Sequence, residues 1–230
     1  MICLVIASML IGVGVHFVPV GGAPAALSTS AGIPTGAPMI TIGMGITGLL
    51  SAVSFIGQPE YMILLAGAIG SMIMISVTIF FSNIIHVYGV GVPIATNKFK
   101  KDPFTSFEQE DYVSPGTNGH GIPTVSFISG MIGAFLSGLG GSLAFNSLYS
   151  TVMLNAQNTE VAGATIATIM SLVLFFIVAV IASYNIGGTI QGFYDDKFKE
   201  KILYGILSSF IVSIVIAIAY VLIVWGLIYG

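Results

Sequence analysis

Long apolar runs broken by short polar segments dominate the chain. The runs fall at residues 1–18, 35–57, 61–86, 123–149, 161–184 and 202–229. Most of them exceed the roughly 20 residues that an α-helix needs to cross the hydrocarbon core of a bilayer. None shows the two-residue alternation of a membrane strand, so the pattern predicts helices rather than a barrel. The expected fold is an all-α integral membrane protein with six transmembrane helices in a single membrane domain, residues 1–230. The first run is the shortest, which marks either a thin span or a truncated start.

The polar breaks contain a repeat. Gly12-Val13-Gly14-Val15 precedes Gly32-Ile33-Pro34-Thr35, and Gly89-Val90-Gly91-Val92 precedes Gly121-Ile122-Pro123-Thr124. In both cases the first tetrad closes one helix and the second opens the next. The following helices also share a stripe of small residues: Thr41, Gly45, Gly48 and Ala52 in one, Gly130, Gly133, Ser137 and Gly141 in the other. Spacings of three and four place each set on one helical face, where backbones approach closely. Three helical hairpins are expected, related by a weak parallel internal repeat in which the last pair is divergent. Coincidence in a Gly/Val/Ile-rich chain is the competing explanation.

Composition agrees with a membrane protein. Charged residues make up 7% of the chain and hydrophobic ones 56%, against about a quarter charged in soluble domains. The mean hydropathy is +1.03. There are six Lys and no Arg, which excludes a nucleic-acid surface. The single cysteine, Cys3, excludes a disulfide within the chain and a cysteine-based metal site.

Charge placement sets the expected topology. All six lysines and seven of the nine acids lie within residues 98–111 or 195–201. Two helices separate these patches, so both fall on one side, and the positive-inside rule makes that side cytoplasmic. The cytoplasmic loops are then 19–34, 87–122 and 185–201, with both termini outside. Residues 22–26, GAPAA, resemble a signal-peptide cleavage site, but the basic segment that should precede one is missing. Cleavage there would also move the lysines outside.

Chemistry-bearing residues are few. No acid lies in the middle of an expected helix; Glu60 and Glu160 stand at helix starts, where a carboxylate complements the helix dipole. A proton relay through this chain alone is therefore not expected. Sodium could use neutral oxygens, because hard cations accept hydroxyl, amide and carbonyl ligands. Two polar stripes are candidates for such a path. Ser142, Asn146 and Ser150 recur every four residues, and Ser82 shares a face with Thr78, with Asn83 beside it. Interhelical hydrogen bonding accounts for the same residues more simply.

His16 and His86 close two helices at the expected cytoplasmic boundary, and His120 lies in the longest loop. Three scattered histidines do not make a metal signature. Around His120, the glycines Gly116, Gly119 and Gly121 together with Asn118 allow left-handed turns and close approach of a ligand. Pro123 suits the first turn of the next helix. The candidate docking or coupling residues are thus Asn118, Gly119, His120, Gly121, Pro123 and His16, with a plain connector as the alternative. In the same loop, Phe104, Phe107 and Tyr112 are interleaved with Glu108, Glu110 and Asp111, which reads as a solvated loop with aromatics available for docking.

At residues 15–26 (VHFVPVGGAPAA), 102–112 and 114–133 (SPGTNGHGIPTVSFISGMIG), the chain resembles the D subunit of tetrahydromethanopterin S-methyltransferase, a membrane complex of methanogenic archaea. The helix layout fits from end to end. Two departures stand out: a start short by part of a helix, and Asn118 where an acid is expected as often as not. The resemblance implies a multisubunit enzyme moving a methyl group from methyl-tetrahydromethanopterin to the thiol of coenzyme M. It implies a corrinoid on the partner A subunit, which carries the methyl group, and outward sodium translocation. It also implies that the membrane subunits C and E accompany this chain, with the intramembrane acid for sodium on E. No firmly bound cofactor is expected on this chain, which would serve sodium coupling rather than methyl transfer. The alternatives are a secondary transporter for a small solute and a purely structural membrane scaffold.

Overall fold

A computed structural model describes residues 1–18, 33–91, 100–110, 113–114, 117–118, 123–155, 160–186, 192–194 and 196–229. Six α-helices form one bundle among the described residues: α1 (Ile2–Phe17), α2 (Ile33–Val53), α3 (Glu60–Ile85), α4 (Pro123–Asn155), α5 (Glu160–Ile186) and α6 (Asp196–Tyr229). A π-helical turn, His86–Val90, extends α3, and a 3-10 turn, Gly192–Tyr194, precedes α6. Two-residue strands β1 (Val113–Ser114) and β2 (Thr117–Asn118) pair antiparallel, with Val113 opposite Asn118. Four helices, α3 to α6, are long and apolar enough to cross a membrane, and shorter apolar helices span Ile2–Phe17 and Ile40–Val53. The chain is an all-α membrane protein.

The long helices differ from the apolar runs at their ends. Helix α4 continues to Asn155, and α6 begins at Asp196, inside the second charged patch. Hydropathy alone truncates both, because helical hydrogen bonding runs on past the apolar stretch wherever side chains can reach water. The α2–α3 connection is tight: Gly57 adopts φ +86°, and the Gln58 amide donates to the Phe55 carbonyl at 3.0 Å. Glycine reaches that left-handed backbone without the Cβ penalty.

Helix α4 is the hub. It packs against α1, α2, α3 and α5, while α6 lies mainly against α1 and α5. The second and third sequence pairs, α3–α4 and α5–α6, are packed hairpins, but the first is not. Helix α1 packs on α4, α5 and α6, and α2 packs on α3, α4 and α5. The expected α1–α2 hairpin is therefore corrected: α1 makes its closest approaches to α4 at Gly14 and to α6 at Gly12, while α2 makes its own to α3 at Gly48 and to α5 at Gly45.

Close backbone contact explains the glycine content. A Cβ on Gly133 would sit 2.5 Å from the Gly14 carbonyl oxygen, and one on Gly138 would sit 2.6 Å from that of Gly67. Neither backbone can retreat, so α4 meets α1 and α3 at separations that only glycine permits. Where the helices part slightly, Phe175 of α5 fills the space between Gly45 of α2 and Gly141 of α4, and it is fully buried. The small-residue stripe of α4 thus serves several neighbours: Gly133 and Ser137 face α1, and Gly141 faces α5.

Candidate functional site

Three polar junctions lie at the lysine-bearing end of the bundle. The first is built on Asp102, which is 3% exposed. Residues 100–110 form a tight hairpin: Lys101 bridges Glu108 antiparallel, the Asp102 amide donates to Phe107 O at 3.0 Å, and the Gln109 amide donates to Lys100 O at 2.9 Å. Inside the turn the Asp102 carboxylate accepts from the amides of Phe104 at 2.7 Å and Thr105 at 3.0 Å. Its other oxygen accepts from the Thr124 hydroxyl, and more weakly from the Gln109 side chain at 3.4 Å. Burial opposes the charge. The bonds from Thr124, Thr105 and Phe104 outweigh it and hold the carboxyl below its ordinary value. Because Thr124 lies in the first turn of α4, this one side chain pins the charged hairpin to the hub helix.

The second junction is Ser129 of α4. Its hydroxyl donates to Phe17 O at 2.5 Å, at the end of α1, and accepts from the Phe193 amide at 3.1 Å. Nearby, the rings of Phe17 and Phe198 meet edge to face with centroids 4.9 Å apart. The third junction is His16, which the structure places inside the bundle, 2% exposed, rather than on a docking surface. Its Nδ1 pairs with Gly12 O at 2.6 Å and its Nε2 with the Asn185 amide nitrogen at 2.9 Å. Gly205 of α6 lies directly against the ring, where a Cβ would collide with it. Burial follows from these neighbours: α5 supplies the partner and α6 closes the ring off from solvent.

The opposite end holds the other described candidates. The Asn146 amide donates to a Glu60 carboxylate oxygen at 2.8 Å, joining α4 to the first residue of α3. One turn deeper, the Ser142 hydroxyl lies 2.9 Å from Gly138 O and 3.1 Å from both Leu139 O and Leu64 O. Its proton is shared among backbone acceptors on its own helix and on α3. Ser150 is exposed one turn beyond Asn146. Thr78, toward the far end of α3, lies 3.8 Å from Met74 Sδ, a weak contact.

The remaining candidates are placed in part. Gly119, His120 and Gly121 lie outside the described residues. Asn118 lies in β2, Pro123 is the first residue of α4, and Ser82 and Asn83 lie near the end of α3; their side chains lie outside the described set. Asp102, Thr124, Ser129 and Asn185 were not legible as partners in the sequence. The only available signal was the Thr that follows Pro123, a position where a helix start accepts a tertiary anchor.

The sequence matches the profile of the family described as the D subunit of tetrahydromethanopterin S-methyltransferase over residues 1–213. The chain belongs to this family. The family member of Methanothermobacter thermautotrophicus is 51% identical over 221 residues, covering 95% of this chain and 93% of that protein. Those of Methanocaldococcus jannaschii and Methanopyrus kandleri are 45% and 43% identical, and cover 96% and 92% of this chain and 94% and 93% of their own lengths. Membership of this family makes the chain part of a methyltransferase complex of methanogenesis, with other subunits as partners. It does not favour a solute transporter or a bare scaffold.

Proposed function

We propose that this chain forms part of the membrane sodium-coupling element of the complex, while the methyl group passes from methyl-tetrahydromethanopterin to the coenzyme M thiol elsewhere. A corrinoid on the partner A subunit carries the methyl group between the two, and the membrane subunits C and E complete the sodium path. The observation that carries this reading is the double tethering of α4. A single helix is bonded through Thr124 to the charged hairpin at one end and through Asn146 to the start of α3 at the other.

The physics of coupling requires such a connection. Moving one charge against 100 mV costs about 2.3 kcal/mol. The free energy released by methyl transfer must reach the sodium path through an element whose state both sites bias. With the lysine patches cytoplasmic by the positive-inside rule, loops 19–34 and 97–123 face the corrinoid-bearing partner, and both termini lie outside. Asn118, Gly119, His120, Gly121 and Pro123 then form the docking and coupling surface, with His16 behind it as an internal positioning group. Ser82, Asn83, Ser142, Asn146 and Ser150 are the oxygen-bearing residues available to a sodium path.

The test is sodium transported per methyl group transferred by the purified complex in vesicles. Replacing Asn118, His120 or Asn146 should lower that ratio while methyl transfer continues. An unchanged ratio in a correctly assembled complex would overturn the coupling reading.

A further inference from the structure

The hairpin at residues 100–110 presents its two phenylalanines outward. Phe104 is 54% exposed and Phe107 is 70% exposed, although apolar surface is sparse in the rest of this charged segment. Between them Ser106 holds φ +61°, a left-handed backbone that a residue with a Cβ adopts only against a steric cost. The Ser106 amide donates to Asp102 O at 2.9 Å, so the tip is closed by the same residue that anchors it to α4. A solvated connector has no need of a buried, fully bonded carboxylate, a strained tip and two exposed rings together.

We propose that this hairpin is a docking knuckle whose two phenylalanines enter an apolar pocket on another protein of the same complex. The charge pattern selects a protein over the bilayer. Interfacial membrane anchors set their apolar rings beside an excess of Lys or Arg. Here Glu108 and Glu110 match Lys100 and Lys101 in number and the third acid, Asp102, is buried, so the exposed face carries no basic excess. Such a balance fits a pocket whose rim carries both signs. A preorganised tip also lowers the ordering cost of association. Through Asp102 and Thr124, occupancy of the pocket would bear directly on the first turn of α4. The proposal rests on membership of a multisubunit complex and gives the coupling reading a specific contact surface.

The experiment uses the assembled complex with p-benzoylphenylalanine placed at position 107 and, separately, at 104. Illumination should join the chain to one other protein of the complex, identified by peptide mass. Attachment to lipid, attachment within this chain only, or no attachment in an intact complex would overturn the proposal. As a second measurement, Phe104→Ala with Phe107→Ala should release that partner at least about tenfold faster on dilution, as loss of central aromatic anchors does. Release at the native rate would overturn it as well. The two readings fail separately. A specific crosslink with an unchanged sodium-to-methyl ratio in the alanine pair keeps the docking knuckle and removes coupling through it. An altered ratio without a crosslink does the reverse.

Discussion

Nε2 of His16 accepts a hydrogen bond from the Asn185 amide at 2.9 Å, while Nδ1 lies 2.6 Å from the Gly12 carbonyl oxygen. A carbonyl can only accept, so the proton sits on Nδ1, and that leaves Nε2 free to receive the amide. The pair ties α1 to α5 across most of the sequence. His16→Leu should destabilise the protein by about 1–3 kcal/mol, because it leaves the Asn185 amide without its partner. Thermal unfolding in detergent measures this. Adding Asn185→Leu should recover part of the loss; no recovery would show that packing alone, not the hydrogen bond, holds the site.

Gly138→Val tests the hub contact. The new side chain would start 2.6 Å from the Gly67 carbonyl oxygen, which is backbone and cannot step aside. The expected cost is at least about 1–3 kcal/mol, the range for overpacking. It would appear as lower yield of folded protein and a lower unfolding temperature.

Ser142→Ala, one turn away, should do far less. Interhelical hydrogen bonds in membranes average about 0.6 kcal/mol, and the acceptors left behind keep their own helical partners. Unfolding measurements on the two variants should therefore rank Gly138→Val well above Ser142→Ala.

Asp102 makes the anchoring of the hairpin pH-dependent. Its folded carboxyl is held below the ordinary value of 3.8, so the stabilisation is fully present above that value and is lost as pH falls through the lowered one. Protease sensitivity of the 100–110 hairpin should be flat from neutral pH to about 5 and rise only in stronger acid. Asp102→Asn should raise it at neutral pH.

Gly57→Ala isolates backbone strain. Beyond its adjoining residues, no described atom lies within 4 Å of the position a Cβ would take, yet φ is +86°. The expected loss is about 1 kcal/mol, since the cost is conformational and not steric crowding from neighbours.

How much was readable in advance differs by element. The apolar runs located the six helices of the described residues, because an apolar stretch bonds its own backbone best as a helix where water is excluded. Glycine spacing announced close packing. It did not say which helix each face would meet: Gly133 and Gly141 share a stripe, yet one faces α1 and the other Phe175 of α5. The α1–α2 hairpin was expected from adjacency in sequence, whereas both helices make their closest approaches elsewhere.

The same division holds at the junctions. Helix number, membrane class and the clustering of charge follow from composition and period, which are properties of single segments. The burial of His16, the anchoring of Asp102 on Thr124 and the bridge from Asn146 to Glu60 join residues 169, 22 and 86 positions apart. A polar side chain in a bundle takes whichever partner the packing brings within reach. That partner is set by the mutual arrangement of the described helices, and only the tertiary structure decided it.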